Sequence, residues 1–308
     1  MMDLSIVIVN WNTGPLLREC IASLSDTIRA HTFEIIVVDN ASTDNSAQGL
    51  GDQPNLHVLL NNRNVGFAAA NNQGFACSLA RYLVMLNPDT VALPEAIDRL
   101  IDYLDLHPHV GAVGPRLLSP NGLLQLTCSH YPSLPNAGME ALGLSRLLPR
   151  SRFFARTAMT YWSHDSERQV DVICGAALMI RRNALEAVGY LDERFYVYFE
   201  ETDLCLRLTR AGWPCYFMPA ADIIHLGGQS SLGNLDVRIV ARYRSLLAFY
   251  RKHYPRWHEW ALRGLLIFEM MWRSIALFIT GIRSLRSKAR GEVLDRYLQV
   301  LRLCLSTR

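Results

Sequence analysis

Residues able to do chemistry gather in a few short stretches of this 308-residue chain. Four polar segments each follow directly on an apolar run: Asn10-Trp11-Asn12, Asp39 through Asp44, Asn61 through Phe67, and Asn87-Pro88-Asp89-Thr90. Asp39 could accept a ring N–H from a heterocyclic base. Asp89 offers a carboxylate to a hard divalent cation, and Asn87 beside it adds a neutral oxygen or holds a water. A second acidic cluster, Glu200-Glu201-Thr202-Asp203, follows the aromatic stretch Phe195–Phe199 and could take the proton of an attacking hydroxyl. His225 ends an apolar run and is followed by glycines, as in a loop close to a ligand. Plainer readings exist for each. Asn, Asp and Ser form turns and caps, acidic residues favour a helix N-terminus, and a lone histidine is ordinarily structural.

The elements that must position these residues alternate. Leu4–Val9, Glu34–Val38, Leu56–Leu60 and Tyr82–Leu86 read as buried strands. Pro15–Ile28, Asp44–Leu50, Phe67–Leu79 and Pro94–Leu106 read as helices between them. Pro15 and Pro94 suit first turns, and Ser42 or Thr43 could cap the helix expected after Asp39. This is the βαβ pattern of a mostly parallel α/β sheet, which binds ligands at the C-terminal ends of its strands. All four polar loops should open on that edge, which favours a site over four unrelated turns. A diphosphate needing charge compensation, a base needing an acceptor and a hydroxyl needing a general base are the demands of a nucleotide-sugar. Residues 111–175 read as loops and short elements, Val170–Arg181 as a strand, Glu200–Ala211 as a helix and Pro214–Met218 as a strand. From Asp236 onward the pattern is helical, ending in an amphipathic helix over Val293–Leu305. The expected division is a catalytic domain over 1–235 and a helical, basic C-terminal region over 236–308.

Composition narrows the possibilities. Half the residues are hydrophobic, enough for a sizeable core. The net charge of +3 hides an asymmetry: residues 251–308 carry +8 and the remainder −5. A basic tail on an acidic body points to an anionic partner. In that tail Trp257, Trp260 and Trp272 mingle with Arg263, Arg273, Arg283, Arg286, Lys288 and Arg290, the pattern of interfacial helices on an anionic membrane. Packing on the domain or a dimer interface is the other reading. No nucleic-acid recognition motif accompanies the tail, so nucleic acid is not an expected partner. No stretch reaches the roughly 18 apolar residues of a spanning helix, and no secretory leader is visible. The seven cysteines form no CxxC and read as buried free thiols of a reducing compartment. The expected place is the cytoplasm, peripheral on the inner face of the cell membrane. Without GxGxxG after the first strand, or GxxxxGK[ST], neither a dinucleotide cofactor nor a P-loop is expected.

Taken in order, seven motifs resemble the family 2 glycosyltransferases, and within them the rhamnosyltransferase-like bacterial members that build cell-surface polysaccharides. The motifs are SIVIVNWN from Ser5, VVDNASTDNS from Val37, NVGFAAANNQG from Asn64, LNPDT from Leu86, GAALMIRR from Gly175, FYVYFEETDLC from Phe195 and HLGGQSS from His225. The resemblance implies a GT-A fold and transfer of a sugar, with inversion, from a nucleotide diphosphate donor. dTDP-rhamnose or a UDP-sugar is the favoured donor, and the acceptor is a hydroxyl of a glycan or a lipid-linked glycan. Carried over residue by residue, Asp39 meets the base, with Val9 and Asn10 beside it. Asn12, Asn64, Gly66, Phe67, Asn71 and Asn87 belong to the nucleotide and donor pocket. Asp89, at the family's DXD position, and His225 hold a divalent metal, Mg2+ or Mn2+. Glu201 takes the catalytic-base position, with Glu200 and Asp203 as neighbouring alternatives.

Two departures matter. Asn87 replaces the first DXD carboxylate, and the acidic pair is Glu-Glu where Glu-Asp is usual, so the base reaches one methylene further. The loss at Asn87 keeps open a non-catalytic nucleotide-sugar-binding paralogue. A nucleotidyltransferase is the remaining rival, although Asn10-Trp11-Asn12-Thr13-Gly14 lacks the basic residue such a loop would carry.

Overall fold

The computed structural model describes residues 2–50, 55–227, 235–281 and 287–306, the side chains at 235–237, 279–281 and 287–290 excepted. Arg283, Arg286 and the loop 228–231 lie outside the described residues, as do the side chains of Lys288 and Arg290.

The run LSIVIVN forms β1 (Leu4–Asn10), buried along its whole length, as expected of a strand covered on both faces. β2 (Phe33–Asp39), β3 (Leu56–Leu60) and β4 (Tyr82–Leu86) lie parallel to it in the order β3-β2-β1-β4. Helices α1 (Leu16–Thr27) and α2 (Phe67–Cys77) fall between these strands in the chain. The register sets Asn10 opposite Asp39, so the two strand ends deliver these residues side by side. A Cβ on Gly74 of α2 would run into the Val7 side chain; glycine lets this helix lie close on β1.

Beyond β4 the chain continues through β5 (Thr90–Ala92), α3 (Ala96–Leu106), β6 (Ala112–Leu118), β7 (Leu124–Gln125) and β8 (Cys128–Ser129). Short helices α4 (Leu134–Ala141) and α5 (Leu144–Leu147) follow, then β9 (Arg168–Val170), β10 (Val172–Ile173), β11 (Ala177–Arg181) and α6 (Arg182–Val188). Next come α7 (Glu200–Arg210), β12 (Cys215–His225), α8 (Leu235–His253), α9 (Arg256–Gly281) and α10 (Ser287–Leu305). The main sheet runs β3-β2-β1-β4-β11-β6-β12-β5, with β11 antiparallel to β4 and β6.

Three expectations are corrected. Asp44–Leu50 is a series of turns rather than a helix. Asp44 Oδ1 accepts from Ser46 N at 3.0 Å, Gln48 Nε2 donates to Asn45 Oδ1 at 2.8 Å, and Asn45 sits at φ 59°. Such local side-chain bonds compete with a helix. Within 111–175, β6 is a full seven-residue strand whose Gly114-Pro115 interior concealed it. Its neighbour β12 shifts register between Met218 and Asp222, at the pairing of Met218 with Pro115, which has no N–H to offer. Val170–Arg181 is broken into three short strands.

The chain forms two compact units, 1–131 with 162–232, and 132–161 with 233–308. The helical unit therefore takes in 132–161, a segment that the linear division at 235 leaves with the catalytic part. Tyr254 OH donates to the Pro132 carbonyl and Trp272 Nε1 to the Ala141 carbonyl, each at 2.6 Å, binding that segment to α8–α9.

Candidate active site

Asn10 is the joint between the ends of β1 and β2. Its Nδ2 donates to Asp39 Oδ2 at 2.7 Å and to Ser46 Oγ at 2.8 Å. Asp39 Oδ1 accepts from Ser42 N at 2.9 Å. The carboxylate is thus fixed in place, and each oxygen retains a lone pair for a ligand. Val9 is buried behind this pair. Asn12, at φ 53°, ties the first loop to the second: its N–H donates to Ser42 Oγ at 3.0 Å, and its Oδ1 accepts from Thr43 N at 2.7 Å. Ser42 and Thr43 serve this junction instead of capping a helix.

Asn40, which the sequence reading did not single out, locks the next loop. Its Oδ1 accepts from Val65 N at 2.9 Å, and its Nδ2 donates to Asn64 Oδ1 at 2.9 Å and to the Gly66 carbonyl at 3.3 Å. Asn64 Oδ1 also accepts from Tyr196 OH at 2.7 Å. Gly66 has φ 93°, and a Cβ there would stand 2.7 Å from Tyr196 Cδ2 and 2.8 Å from Tyr196 O. Phe67 N donates to that same Tyr196 carbonyl at 2.7 Å. The loop and the aromatic stretch before α7 are therefore one assembly. Asn71 is 1 % exposed, and its Nδ2 bonds the Phe67 carbonyl one turn earlier, while its buried Oδ1 has no hydrogen-bond partner. An open depression of about 420 Å³ at the start of α2 is lined by Arg63, Asn64, Val65, Ala69, Gln73 and Glu193. None of Asp39, Asp89, Glu201 or His225 lines it, and it is not assigned to the site.

At the end of β4, Thr90 Oγ1 donates to the Asn87 carbonyl at 2.7 Å and Asn87 N to the Ala176 carbonyl at 2.9 Å. Leu226 N donates to the Asp89 carbonyl at 2.9 Å, which brings the end of β12 over this turn. His225 Nε2 then lies 3.4 Å from Asp89 Oδ1 and 3.4 Å from Asn87 Nδ2. The other ring nitrogen, Nδ1, is 2.8 Å from Gln125 Oε1. An amide oxygen only accepts, so the network puts the proton on Nδ1 and leaves the Nε2 lone pair directed at Asp89.

With the proton on Nδ1, Nε2 and the Asp89 oxygen are two electron-pair donors 3.4 Å apart, with Asn87 Nδ2 also beside Nε2. Two ligands about 2.1 Å from one ion stand roughly 3 Å apart at a right angle, so the pair fits a divalent cation in donor type and spacing. Among the described residues no group of three His, Cys, Asp or Glu side chains is arranged to hold a metal. Asn87, water and ligand phosphates would have to supply the other positions, as is common for Mg2+.

α7 begins after Tyr198 (φ 66°) and Phe199 (φ 72°), two aromatic residues in the left-handed region that together cost a few kcal/mol at about 1–3 each. That turn sets Glu200 and Glu201 at the helix start. Glu200 is 4 % exposed, and burial first, then the charge of Glu201, push its carboxyl well above the usual range. Glu201 is half-buried. Asp203 is fully enclosed and pairs with Arg207 Nε at 2.8 Å, while the rest of that guanidinium bonds the carbonyls of Val188, Gly189 and Tyr190. Asp203 is a strut of the fold rather than a group offered to an acceptor. The Cys174 thiol is pushed up to about 11 by burial and then by Glu201, with Glu200 and Asp89 adding to the effect. A Cβ on Gly175 would stand 3.5 Å from Glu201 Cβ, and the next residue, Ala176, accepts from Asn87 N, so this short segment links the start of α7 to the β4 turn.

A mostly parallel sheet flanked by helices, followed by a C-terminal helical region, is the architecture of the GT-A glycosyltransferases. The family description "Glycosyl transferase family 2" matches residues 5–189, and "Glycosyl transferase family group 2" matches 148–305. The chain belongs to glycosyltransferase family 2 and resembles its bacterial rhamnosyltransferases. It is 30 % identical to the N-acetylglucosaminyl-diphospho-decaprenol L-rhamnosyltransferase of Mycobacterium tuberculosis, over 85 % of this chain and 89 % of that protein. It is 24 % identical to the dTDP-rhamnosyl transferase RfbF of Shigella flexneri, over 81 % and 80 % respectively. A mannosyltransferase of Pyrobaculum calidifontis, solved with GDP-Man and Mn2+, shares the fold at TM-score 0.56 and 16 % identity over 98 % of this chain and 88 % of its own.

Proposed function

We propose that this glycosyltransferase moves a sugar, with dTDP-rhamnose favoured and a UDP-sugar as the alternative, to a hydroxyl of a glycan or lipid-linked acceptor in cell-surface polysaccharide synthesis. The observation that carries the reading is the His225–Asp89 pair after the end of β4, with Glu201 packed against Gly175 nearby, on the sheet edge where Asn10 fixes Asp39. The names of the mycobacterial and Shigella relatives support rhamnose as the sugar.

In this mechanism Asp39 accepts a ring N–H of a pyrimidine base, and the Asn40-locked loop around Asn64, Gly66 and Phe67 shapes the donor pocket. Asp89 and His225, with Asn87 beside them, would hold a divalent cation, Mg2+ or Mn2+. When bound, that ion offsets the charge of the departing diphosphate. Glu201 removes the acceptor hydroxyl proton. The oxygen forms its bond to the anomeric carbon as the bond to the diphosphate breaks on the opposite face, so the configuration inverts. Burial first, and then the charge of Glu201, favour the protonated form of Glu200, which supports Glu201 as the base. The helical unit meets an anionic membrane surface, which places the enzyme peripherally on the inner face of the cell membrane.

Calorimetric titration with dTDP, UDP and GDP, with and without Mn2+ or Mg2+, tests the donor reading. Metal-dependent binding of a pyrimidine diphosphate is expected. A folded protein that binds none of the three would overturn it.

A further inference from the structure

Helix α9 is turned inside out for a helix in water. Beyond the exposed Arg256 at its start, its charged side chains are ion-paired and largely enclosed. Glu259 accepts from Arg263 at 2.9 Å and from Arg251 at 2.7 Å, and Glu269 pairs with Arg273 at 2.6 Å. Arg263 is 5 % exposed and donates to the carbonyls of Leu303, Cys304 and Ser306, closing the C-terminal end of α10. The sequence reading counted Arg263 and Arg273 among the membrane-facing charges; both are instead committed within the helical unit.

The outward face is apolar. From Trp257 to Phe278 every exposed position of α9 is hydrophobic or glycine. Trp257 and Trp260 are 62 % exposed, Phe268 50 %, Met271 54 %, Ile275 58 % and Phe278 78 %. With the exposed Gly264 between Trp260 and Phe268, their spacing by three and four residues makes one stripe, about 30 Å long at 1.5 Å per residue. A continuous exposed stripe of this kind marks an interaction surface. No helix among the described residues is long and apolar enough to cross a membrane, so a lipid partner would be met along the helix flank.

The charge beside this stripe selects the occupant. Between Glu140 and Asp165 the chain carries four arginines and no acidic residue. Arg150, Arg152 and Arg156 are exposed and form no ion pair among the described residues. They alternate with exposed Leu147, Leu148 and Phe153. This segment leaves from Ala141, whose carbonyl accepts from Trp272 of α9, so it adjoins the stripe.

We infer that the outward stripe of α9, joined by the arginine- and leucine-bearing segment 142–156, is a lipid-contact surface lying in the plane of an anionic bilayer. Apolar side chains sink below the headgroups while the arginines meet the lipid phosphates. This rests on the reading that the helical unit meets a membrane, but it assigns the contact to different residues from those the charge of the tail indicates.

The test is co-sedimentation of the full chain with vesicles of neutral phosphatidylcholine, and of phosphatidylcholine with 30 % phosphatidylglycerol. It is paired with quenching of tryptophan emission by lipids brominated along the acyl chain. Preferential binding to the anionic vesicles and quenching of Trp257 and Trp260 are expected. Trp257→Ser with Phe268→Ser and Phe278→Ser should lower partitioning at least tenfold with the circular-dichroism melt unchanged. Arg150→Glu with Arg152→Glu should abolish the preference for anionic vesicles. Failure of the unaltered chain to bind vesicles would remove the membrane reading and this surface together. Undiminished binding by the triple variant would leave the membrane reading standing and overturn the surface proposed. So would light scattering that shows the triple variant turning a dimer into a monomer while vesicle binding is unaltered, since the stripe would then be covered by a second copy.

Discussion

Gln125 holds His225 at both ends: its amide nitrogen donates to the His225 carbonyl at 2.6 Å, and its amide oxygen accepts from ring Nδ1 at 2.8 Å. Partners of this kind fix the tautomer of a ligating histidine, and their loss commonly lowers metal affinity about 10–100-fold. Gln125→Ala is expected to weaken Mn2+ binding by that order in the presence of a nucleotide diphosphate, as read from the free-ion signal in electron paramagnetic resonance. Unchanged Mn2+ affinity would show that Gln125 does not position the ring.

Asp89→Ala should remove the cation dependence of nucleotide binding. The calorimetric affinity for dTDP or UDP with Mn2+ is expected to fall to the value without it. A full Mn2+ enhancement in this variant would take Asp89 out of the metal site.

Glu201→Gln keeps the shape of the side chain and loses the proton acceptor. Turnover should fall about 10²–10⁴-fold while donor affinity stays near that of the unaltered protein. Equal turnover would assign the base elsewhere.

Gly66→Ala places a methyl against Tyr196 at a backbone angle of φ 93°. The expected loss is about 1–3 kcal/mol of stability, together with weaker donor binding, because Asn40, Asn64 and Tyr196 all converge on this loop. Thermal melting and nucleotide titration on the same sample check both parts.

Glu200 makes a pH-dependent contribution of defined sign. Its carboxyl is held well above the usual 4.5, so the native state keeps a proton that the unfolded chain releases. The stability gained from that proton is complete below 4.5 and is lost as pH rises through the raised value. Glu200→Gln is neutral throughout and escapes the loss. The melting temperature of the variant relative to the unaltered protein should therefore climb as pH is raised from about 4.5. A difference that stays constant from pH 5 to 8 would contradict the assignment.

The parallel half of the fold was legible because β1, β2 and β4 are apolar runs, the first two ending on a polar residue and the third followed by one. The edge containing Asn10, Asp39 and Asn87 followed from that alternation. Less regular parts were hidden for local reasons. β6 carries Gly114 and Pro115 within it, and β7 is two residues long, so neither it nor Gln125 gave a periodic signal. Asn40 reads as one more turn residue until its side chain is seen bonded to three places in the next loop. Asp203 looked like part of an acidic cluster, because its partner Arg207 stands a helical turn away and only the fold shows the pair enclosed. The direction of α9 was misread for a related reason: a basic aromatic helix is assumed to turn its charge outward, and here α10 offers carbonyls inside.

The joining of 132–161 with 233–308 into one unit has a consequence for synthesis. The first segment leaves the ribosome more than 70 residues ahead of its partners, which at about 5–20 residues per second is a wait of several seconds. During that interval α4 has no α9 to pack on and the Ala141 carbonyl lacks its Trp272 donor, while Leu142, Leu147, Leu148 and Phe153 stay exposed as they do in the finished protein, although most of the sheet has already been made. The nascent chain therefore passes through a stage in which its half-built helical unit is a sticky, positively charged loop, a natural target for a chaperone or for early capture by lipid.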